Sequence, residues 1–359
     1  MKKLDKRLRR RLIIGAALTA LSLLCLLGYY RASHALDSQR AAERWQGDNG
    51  MEFAQVTAFL PADKGLTLEQ LYTFRNDMAT KLKGAALDLR ADPGLLTDAW
   101  STPGKAKVQN GSRKGEVSVT AVGGSFFSFH PIKLLSGSYL YPEDLMKDRV
   151  LLDEDTAWLL FGGTQLQGMS LTVEGVPFVV AGVFEREDDR FSTAAYSSGM
   201  GIYMSYEAYS AMVETASVTC YELVMAQPVK GFVYSAASEK FPIGSGQLVN
   251  NSDRYDAFVL LKQLKTLSAR SMHSLAVAYP YWENAARAAE DACLVFLTAA
   301  ILLALGPFIM ALWAILRYSK LGKRKLENEL IPKLKDKTQE AVRVRQRQRW
   351  LKRHGEDGE

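Results

Sequence analysis

The stretch "TAVGGSFFSFHPIKLLSGSYLYPED", from Thr120 to Asp144, has residue types that could perform chemistry, because it combines paired glycines with His130. A nucleophilic site would need His130 as a base beside a hydroxyl or thiol, with a third group orienting it. A phosphate site would need converging backbone N–H groups, typically in a GxxxxGK[ST] or GxGxxG pattern. Neither glycine pattern occurs in the stretch, and no GxSxG or HExxH sequence accompanies His130. We therefore interpret the stretch as scaffold, with His130 as a turn residue before Pro131.

Two further features could carry chemistry. Cys220 is the one cysteine outside the long apolar runs, and its strand-like context "VTCYELVMAQP" favours a small buried residue over a nucleophile. The run "EREDDR", Glu185 to Arg190, offers four carboxylates to a divalent cation, but it lacks EF-hand spacing and favours a solvated loop. Trp158 is interpreted as a core residue. The sequence therefore predicts no catalytic, cofactor-binding or metal-binding residue.

Two long apolar runs without a charged residue, Leu12 to Tyr30 and Cys293 to Leu316, dominate the chain. Each is long enough, as a helix, to cross the ~30 Å hydrocarbon core of a bilayer. The alternative for the first run is a signal peptide, since "SHA" at residues 33–35 resembles a cleavage site. The length of the run and the terminal Tyr29 and Tyr30 favour a retained membrane helix.

Charge is distributed unevenly along the chain. Residues 1–11 carry seven Lys or Arg against one Asp, and residues 317–359 carry fourteen against seven acidic residues. This asymmetry predicts that both termini lie in the cytoplasm. The segments carry +6 and +7 of an overall +6, which leaves −7 for the intervening residues. An acidic extracytoplasmic domain is therefore expected, and nucleic acid is not an expected partner.

The first part of this domain is predicted to be a strand-helix-strand unit. The strand is "EFAQVTAFLP", and the helix starts with Thr67 and Gln70 at capping-box spacing. Leu71 and Met78 belong to its helical apolar face, and Gly84 ends it. The returning strand is placed at "AALDLRADP".

A second unit of this kind consists of "CYELVMAQP", "KGFVYSAASEKF" and "GQLVNN". Short β elements lie between the units, including "EVSVTAV", a strand running into a helix at "RVLLDEDTAWLLFGG", and a hairpin that turns at Glu174 and Gly175. A helix from Asp253 to Arg270 then leads to the second membrane helix, with Tyr279, Tyr281 and Trp282 at the membrane surface.

The predicted fold is membrane-anchored α+β, in which two transmembrane helices flank an extracytoplasmic ectodomain whose α/β units bracket a β-rich insert. The predicted segments are a basic N-terminus 1–11, membrane helix 12–30, linker 31–50, first α/β unit 51–100, β-rich core 101–215, second α/β unit 216–252, helix and membrane-proximal connector 253–292, membrane helix 293–316 and basic tail 317–359.

The order of elements from Val117 to Tyr209 resembles the MacB-like periplasmic core domain, found in the ectodomains of MacB and FtsX-type ABC transporter permeases. The resemblance rests on the following positions: Gly124, Phe126, Phe127, Leu135, Gly137, Asp144, Phe161, Gly162, Gly175 and Gly182. FtsX-type permeases have three membrane helices after this ectodomain, whereas one follows here. The residues carried by the resemblance are structural, and none is catalytic.

The resemblance implies a non-catalytic membrane component of an ABC-type transport or mechanotransmission system. Its expected partners are the membrane, an ABC ATPase on another chain, since no Walker motif is present, and a multi-span permease or further copies of the chain. The alternative is an extracytoplasmic module that binds and regulates an envelope enzyme such as a peptidoglycan hydrolase. A third hypothesis is a hydrolase that uses Cys220 or His130.

The basic tail contains arginines at alternating positions, namely Arg343, Arg345, Arg347 and Arg349. They are candidates for contact with anionic lipid or with an ATPase. A solvated tail that follows the positive-inside rule is the remaining interpretation.

Overall fold

One mixed ten-stranded sheet forms the centre of the protein in the computed structural model, which describes residues 6–47, 50–196, 199–265, 279–325, 328 and 330–354. The strands are β1 Phe53–Phe59, β2 Leu96–Asn110, β3 Arg113–Gly124, β4 Lys133–Gly137, β5 Arg149–Asp153, β6 Ser170–Val173, β7 Val176–Glu185, β8 Gly201–Ser205, β9 Cys220–Ala226 and β10 Gln247–Asn250.

The helices are α1 Lys6–Ser33, α2 Ala41–Gln46, α3 Leu68–Gly84, α4 Phe126–Phe129, α5 Glu154–Leu160, α6 Arg190–Ala195, α7 Tyr206–Met212, α8 Phe232–Lys240, α9 Ala257–Gln263, α10 Tyr281–Lys325 and α11 Ile331–His354. Within the described residues, α1 and α10 are the two helices long and apolar enough to cross a membrane. The chain is thus a membrane-anchored α+β protein whose two apolar helices flank the sheet domain.

The strand order is β10-β1-β9-β2-β3-β8-β5-β7-β4, and β6 pairs with β2 and β7. The β3–β8 and β5–β7 pairs are parallel, and the other pairs are antiparallel. Strands β1, β9 and β10 from the two predicted α/β units lie together at one end of the sheet with β2, which crosses the predicted boundary at residue 100. Because the long strand β2 also pairs with β3, the β-rich region continues the same sheet.

Apolar side chains cover both faces of the sheet. On one face, α3, α5, α7 and α8 pack onto a large core that includes Phe74 and Met78 of α3. On the other face, a smaller core joins α2 and α4 to the start of α10, through Phe126 and Trp282. In the central strand β9, alternate residues point into the two cores, so both of its faces are buried.

Most of the predicted local structure is confirmed. Thr67 caps α3, because its side chain accepts from the Gln70 N–H while the Gln70 side chain accepts from the Thr67 N–H. Glu174 and Gly175 form the turn between β6 and β7, and both have positive φ, as a type I′ hairpin requires.

The predicted strand "AALDLRADP" is wrong, because this segment is a turn and the returning strand β2 begins at Leu96. The side chains of Asp88 and Asp92 accept from the N–H groups of Arg90 and Gly94. These local bonds occupy backbone donors that a strand would direct to a neighbouring strand.

The prediction that Trp158 is a core residue is also wrong. Trp158 on α5 is 55% exposed, because α5 directs Ala157 and Leu160 towards the sheet instead. On α9, Phe258 is exposed and Leu260 is the buried residue. The predicted continuation of this helix through residues 266–270 lies outside the described residues.

The apolar stretches of α1 and α10 contact each other within the unit formed by residues 1–26 and 298–359. The Ser22 hydroxyl donates to the carbonyl oxygen of Ala300 at 2.9 Å. A Cβ at Gly15 would lie 3.3 Å from the terminal methyl of Met310, so the absence of a side chain permits close packing there.

Candidate functional site: the junction between the sheet and helix α10

Helix α10 begins inside the sheet domain. Trp282, in its first turn, is 4% exposed and packs against Phe126 and His130, with ring centroids 5.6 and 4.4 Å apart. The prediction that Trp282 lies at the membrane surface is therefore wrong. The reason is that α10 extends twelve residues before the apolar run starts at Cys293, so its first turns belong to the ectodomain.

His130 forms a buried contact with strand β9. Its Nε2 lies 2.5 Å from Glu222 Oε2, and both side chains are 2% exposed. Phe126 stacks on the imidazole from α4, with ring centroids 4.5 Å apart. His130 therefore connects α4, β9 and the start of α10, and it is a buried packing residue as well as the residue that ends α4.

An ion-pair network centred on Arg254 joins the segment after β10 to α10. Arg254 Nη1 donates to Glu283 Oε2 at 2.9 Å, and Arg254 Nε donates to Glu290 Oε1 at 2.7 Å. Arg287 Nε also donates to Glu283 Oε1 at 2.9 Å. Two arginines thus face two glutamates, and Arg254, Glu283 and Glu290 are all at least 96% buried.

The same network extends to the segment after α1. Gln39 Oε1 accepts from Arg254 Nη1 at 2.7 Å and from Asn251 Nδ2 at 2.8 Å. The Thr57 hydroxyl of β1 donates to Asn251 Oδ1 at 2.9 Å. Residues 37–46 were predicted to be part of a linker. In the structure they are helical, and they form hydrogen bonds to the sheet domain.

The surroundings of Arg254 maintain its charge. Burial opposes the charged guanidinium, but Glu283 and Tyr255 together outweigh this effect, so the pKa of Arg254 is raised above its usual value. A buried charge is costly without a partner, and removal of one partner of such a pair typically costs about 3–5 kcal/mol. The network therefore makes the attachment of α10 to the domain sensitive to the loss of any one charged member.

A further contact attaches α10 to the loop after β7. The Tyr281 hydroxyl donates to Glu187 Oε1 at 2.9 Å, and the Tyr196 hydroxyl also donates to Glu187. Burial raises the pKa of the Glu187 carboxyl, and the hydrogen bond from Tyr281 partly opposes this. Glu187 and Tyr281 line a cavity of about 300 Å³.

The acidic run is thus more structured than a solvated loop. Arg186 Nη2 lies 2.5 Å from Asp153 Oδ2, and Asp189 caps α6 through the N–H groups of Phe191 and Ser192. Among the described residues, no group of three or more His, Cys, Asp or Glu side chains could hold a metal ion.

The ten positions that carry the resemblance are spread over the sheet domain. They lie as follows: Gly124 ends β3, Phe126 and Phe127 begin α4, Leu135 and Gly137 belong to β4, Asp144 accepts from the Tyr141 N–H, Phe161 and Gly162 follow the end of α5, Gly175 lies in the hairpin turn, and Gly182 lies in β7. Of these positions, Phe126 packs against Trp282 in the junction, and Phe127 packs against the same core. A Cβ at Gly137 would lie 2.1 Å from the carbonyl oxygen of Ala181, so glycine allows β4 and β7 to approach.

Cys220 lies in the junction core but is not exposed to solvent. Burial raises the pKa of its thiol well above the ordinary value. A thiol must be deprotonated to act as a nucleophile, so this environment does not activate Cys220.

The sequence interpretation missed the charged members of the junction. Glu222 could have been identified as a buried polar residue, because it is the single carboxylate in the otherwise uncharged strand "CYELVMA". Glu283, Arg287 and Glu290 follow one another at i, i+4 and i+7 in alanine-rich "YWENAARAAED", which places them on one helix face. Arg254 has no such pattern, because its partners are distant in sequence.

The sequence matches the family described as MacB-like periplasmic core domain over residues 42–240, more than half of the chain. No curated protein matches the chain. Among solved structures, it is similar to the periplasmic region of MacB from Actinobacillus actinomycetemcomitans, with 14% identity and a TM-score of 0.40, over 64% of this chain and 100% of that chain. It is also similar to the extracellular domain of the noncanonic ABC-type transporter YknZ from Gram-positive bacteria, with 12% identity and a TM-score of 0.39, over 55% and 100% of the two chains.

Proposed function

Because this chain belongs to the MacB-like periplasmic core domain family, we propose that it is a non-catalytic membrane subunit of an ABC-type transport or mechanotransmission system. In this proposal another chain hydrolyses ATP, and a multi-span permease or further copies of this chain complete the membrane part. Both termini lie in the cytoplasm, as the basic segments 1–11 and 317–359 favour. The ectodomain binds an extracytoplasmic protein or cargo.

The buried junction between the sheet domain and α10 supports this function most directly. A subunit that transmits movement needs a stiff connection between its ectodomain and its membrane helix. Arg254 and its partners provide such a connection, because displacement of α10 would separate buried charges. A simple membrane anchor would need no such network, since a flexible linker would retain the domain at the membrane equally well.

The experiment is purification of the tagged full chain from its native membrane in mild detergent, followed by mass spectrometry of the recovered proteins. We expect an ABC ATPase to be recovered and the complex to hydrolyse ATP, whereas the separated chain does not. Recovery of a secreted envelope enzyme without an ATPase would contradict the proposal and support a regulatory binding module.

The role of the junction is tested in the same complex with Glu283→Gln, which removes one charge but retains the shape of the side chain. We expect this variant to bind the ATPase and to lose the dependence of ectodomain conformation on ATP. The dependence is read from distances between spin labels in the ectodomain with and without nucleotide. An unchanged nucleotide response would contradict the mechanical role of the junction. The control is Glu43→Gln, which disrupts the exposed pair with Arg40.

A further inference from the structure

Helix α11 carries a strong positive charge next to a membrane segment. It spans 24 residues, Ile331–His354, and its nine Lys or Arg against two acidic residues give a net charge of +7 with His neutral. It begins six residues after the end of α10, which contains the second apolar run. If α10 spans the membrane, α11 must start close to the headgroups on the side where α10 emerges.

The helical conformation divides the four alternating arginines into two pairs. Residues three or four apart share a helix face, whereas residues two apart do not. Arg345 and Arg349 therefore lie on one face, and Arg343 and Arg347 lie on the other. The alternation in the sequence does not form a single basic surface.

The two faces differ in their other residues. The face that carries Arg345 and Arg349 is called the apolar-basic stripe. Its residues are separated by one, three or four positions, and they are Ile331, Leu334, Thr338, Ala341, Val342, Arg345 and Arg349. The opposite face, called the mixed stripe, consists of Asp336, Glu340, Arg343, Arg347 and Trp350. Both acidic residues of α11 therefore lie on the mixed stripe.

The apolar residues of the apolar-basic stripe are open to solvent. Ile331, Leu334 and Val342 are 41%, 62% and 52% exposed. A helix with apolar residues and arginines on one face suits the interface of an anionic bilayer, where the apolar side chains enter the acyl boundary and the arginines contact phosphates. In water the same apolar side chains would stay exposed, and the helix would not gain the stabilisation that their burial provides.

We propose that the apolar-basic stripe of α11 binds the anionic phospholipid surface beside the membrane segment of α10, so that α11 lies in the plane of the membrane. Charge complementarity and the short connection to α10 identify the occupant as the bilayer surface. The stripe without acidic residues faces the lipid, and the mixed stripe remains exposed to the aqueous phase. This inference requires that α10 spans the membrane, but it does not depend on an ATPase partner.

The test uses the full chain reconstituted in nanodiscs of phosphatidylcholine alone and of phosphatidylcholine mixed with phosphatidylglycerol. Hydrogen exchange of the α11 amides is measured by mass spectrometry in both. We expect slower exchange in the anionic nanodiscs. Equal exchange rates in the two lipids would overturn the proposal.

Two double variants with the same charge change test the orientation of α11. A basic residue near an anionic surface contributes about 1 kcal/mol, so Arg345→Gln with Arg349→Gln should accelerate exchange in anionic nanodiscs by up to about 30-fold. Arg343→Gln with Arg347→Gln should retain most of the protection. Equal losses in the two double variants would overturn the assignment of the lipid-facing stripe.

A third variant separates insertion of apolar side chains from attraction by charge alone. Leu334→Ser with Val342→Ser leaves every charge in place and should also accelerate exchange in anionic nanodiscs. Full protection in this variant would show that no apolar face enters the bilayer, and it would overturn the proposed mode of binding. Exchange in the sheet domain, which should not change, verifies folding in all variants.

Discussion

Arg254 Nη1 lies 2.9 Å from Glu283 Oε2 at a place where both side chains are almost fully buried. The contact joins the segment that follows the last strand of the sheet to the first turn of α10. Each charge compensates the burial of the other, so removal of either one leaves the buried network with one charge too few for balance.

The first prediction concerns this pair. Arg254→Met should lower the free energy of unfolding of the sheet domain by about 3–5 kcal/mol, because Glu283 and Glu290 lose a buried partner. The measurement is chemical denaturation of the full chain in detergent, followed by tryptophan fluorescence. Arg40→Gln is the control, since Arg40 and Glu43 form an exposed pair and its loss should cost less than about 1 kcal/mol. Equal effects of the two substitutions would contradict the central role of Arg254.

The second prediction concerns His130 and Glu222, whose side chains meet at 2.5 Å in the core. His130→Leu should destabilise the domain by about 3 kcal/mol, because Glu222 would retain a buried carboxylate without this partner. Combining His130→Leu with Glu222→Leu should cost less than the sum of the single substitutions. A double-mutant cycle of unfolding free energies measures this difference, and a coupling energy below about 0.5 kcal/mol would show that the contact is energetically unimportant.

The third prediction concerns pH. Burial raises the pKa of Glu187 in the folded protein, so the folded state binds this proton more tightly than the unfolded state. The contribution of Glu187 to stability is therefore most favourable below the ordinary carboxyl pKa, and it declines as the pH rises through the raised value. Glu187→Gln should remove this decline while keeping an oxygen that accepts from Tyr281.

Unfolding midpoints measured across the acidic to neutral range test the role of Glu187. The variant should gain stability relative to the wild type as the pH rises, and parallel profiles would refute the assignment. Glu143→Gln, which removes an exposed carboxyl outside the junction, is the matched control.

The fourth prediction concerns the contact between β4 and β7. Gly137 has a φ of +81°, and a Cβ there would lie 2.1 Å from the carbonyl oxygen of Ala181. Gly137→Ala should cost about 3 kcal/mol or more, since backbone strain and a backbone clash act together. Gly168→Ala isolates the strain, because Gly168 has a φ of +84° and open space around it, and it should cost about 1–2 kcal/mol. Thermal unfolding compares the variants, and similar losses would show that the close approach is unimportant.

Local sequence patterns were sufficient to predict many individual elements. The capping box at Thr67, the Glu174–Gly175 turn and the apolar runs of α1 and α10 were predictable, because each depends on residues close together in the chain. Such patterns failed where local hydrogen bonds competed with sheet pairing, as at Asp88 and Asp92.

Sequence patterns alone were sufficient to predict the membrane-anchored architecture and many individual strands and helices, because hydrophobic length and periodicity are properties of the chain. The pairing of β2 with both β3 and β9, and the choice of charged residues that meet at the junction, depend on the folded arrangement of the whole domain. Arg254 and Gln39 are 215 residues apart, and His130 and Glu222 are 92 apart. No local pattern encodes these contacts, because their partners are brought together by the packing of the two apolar cores against the sheet.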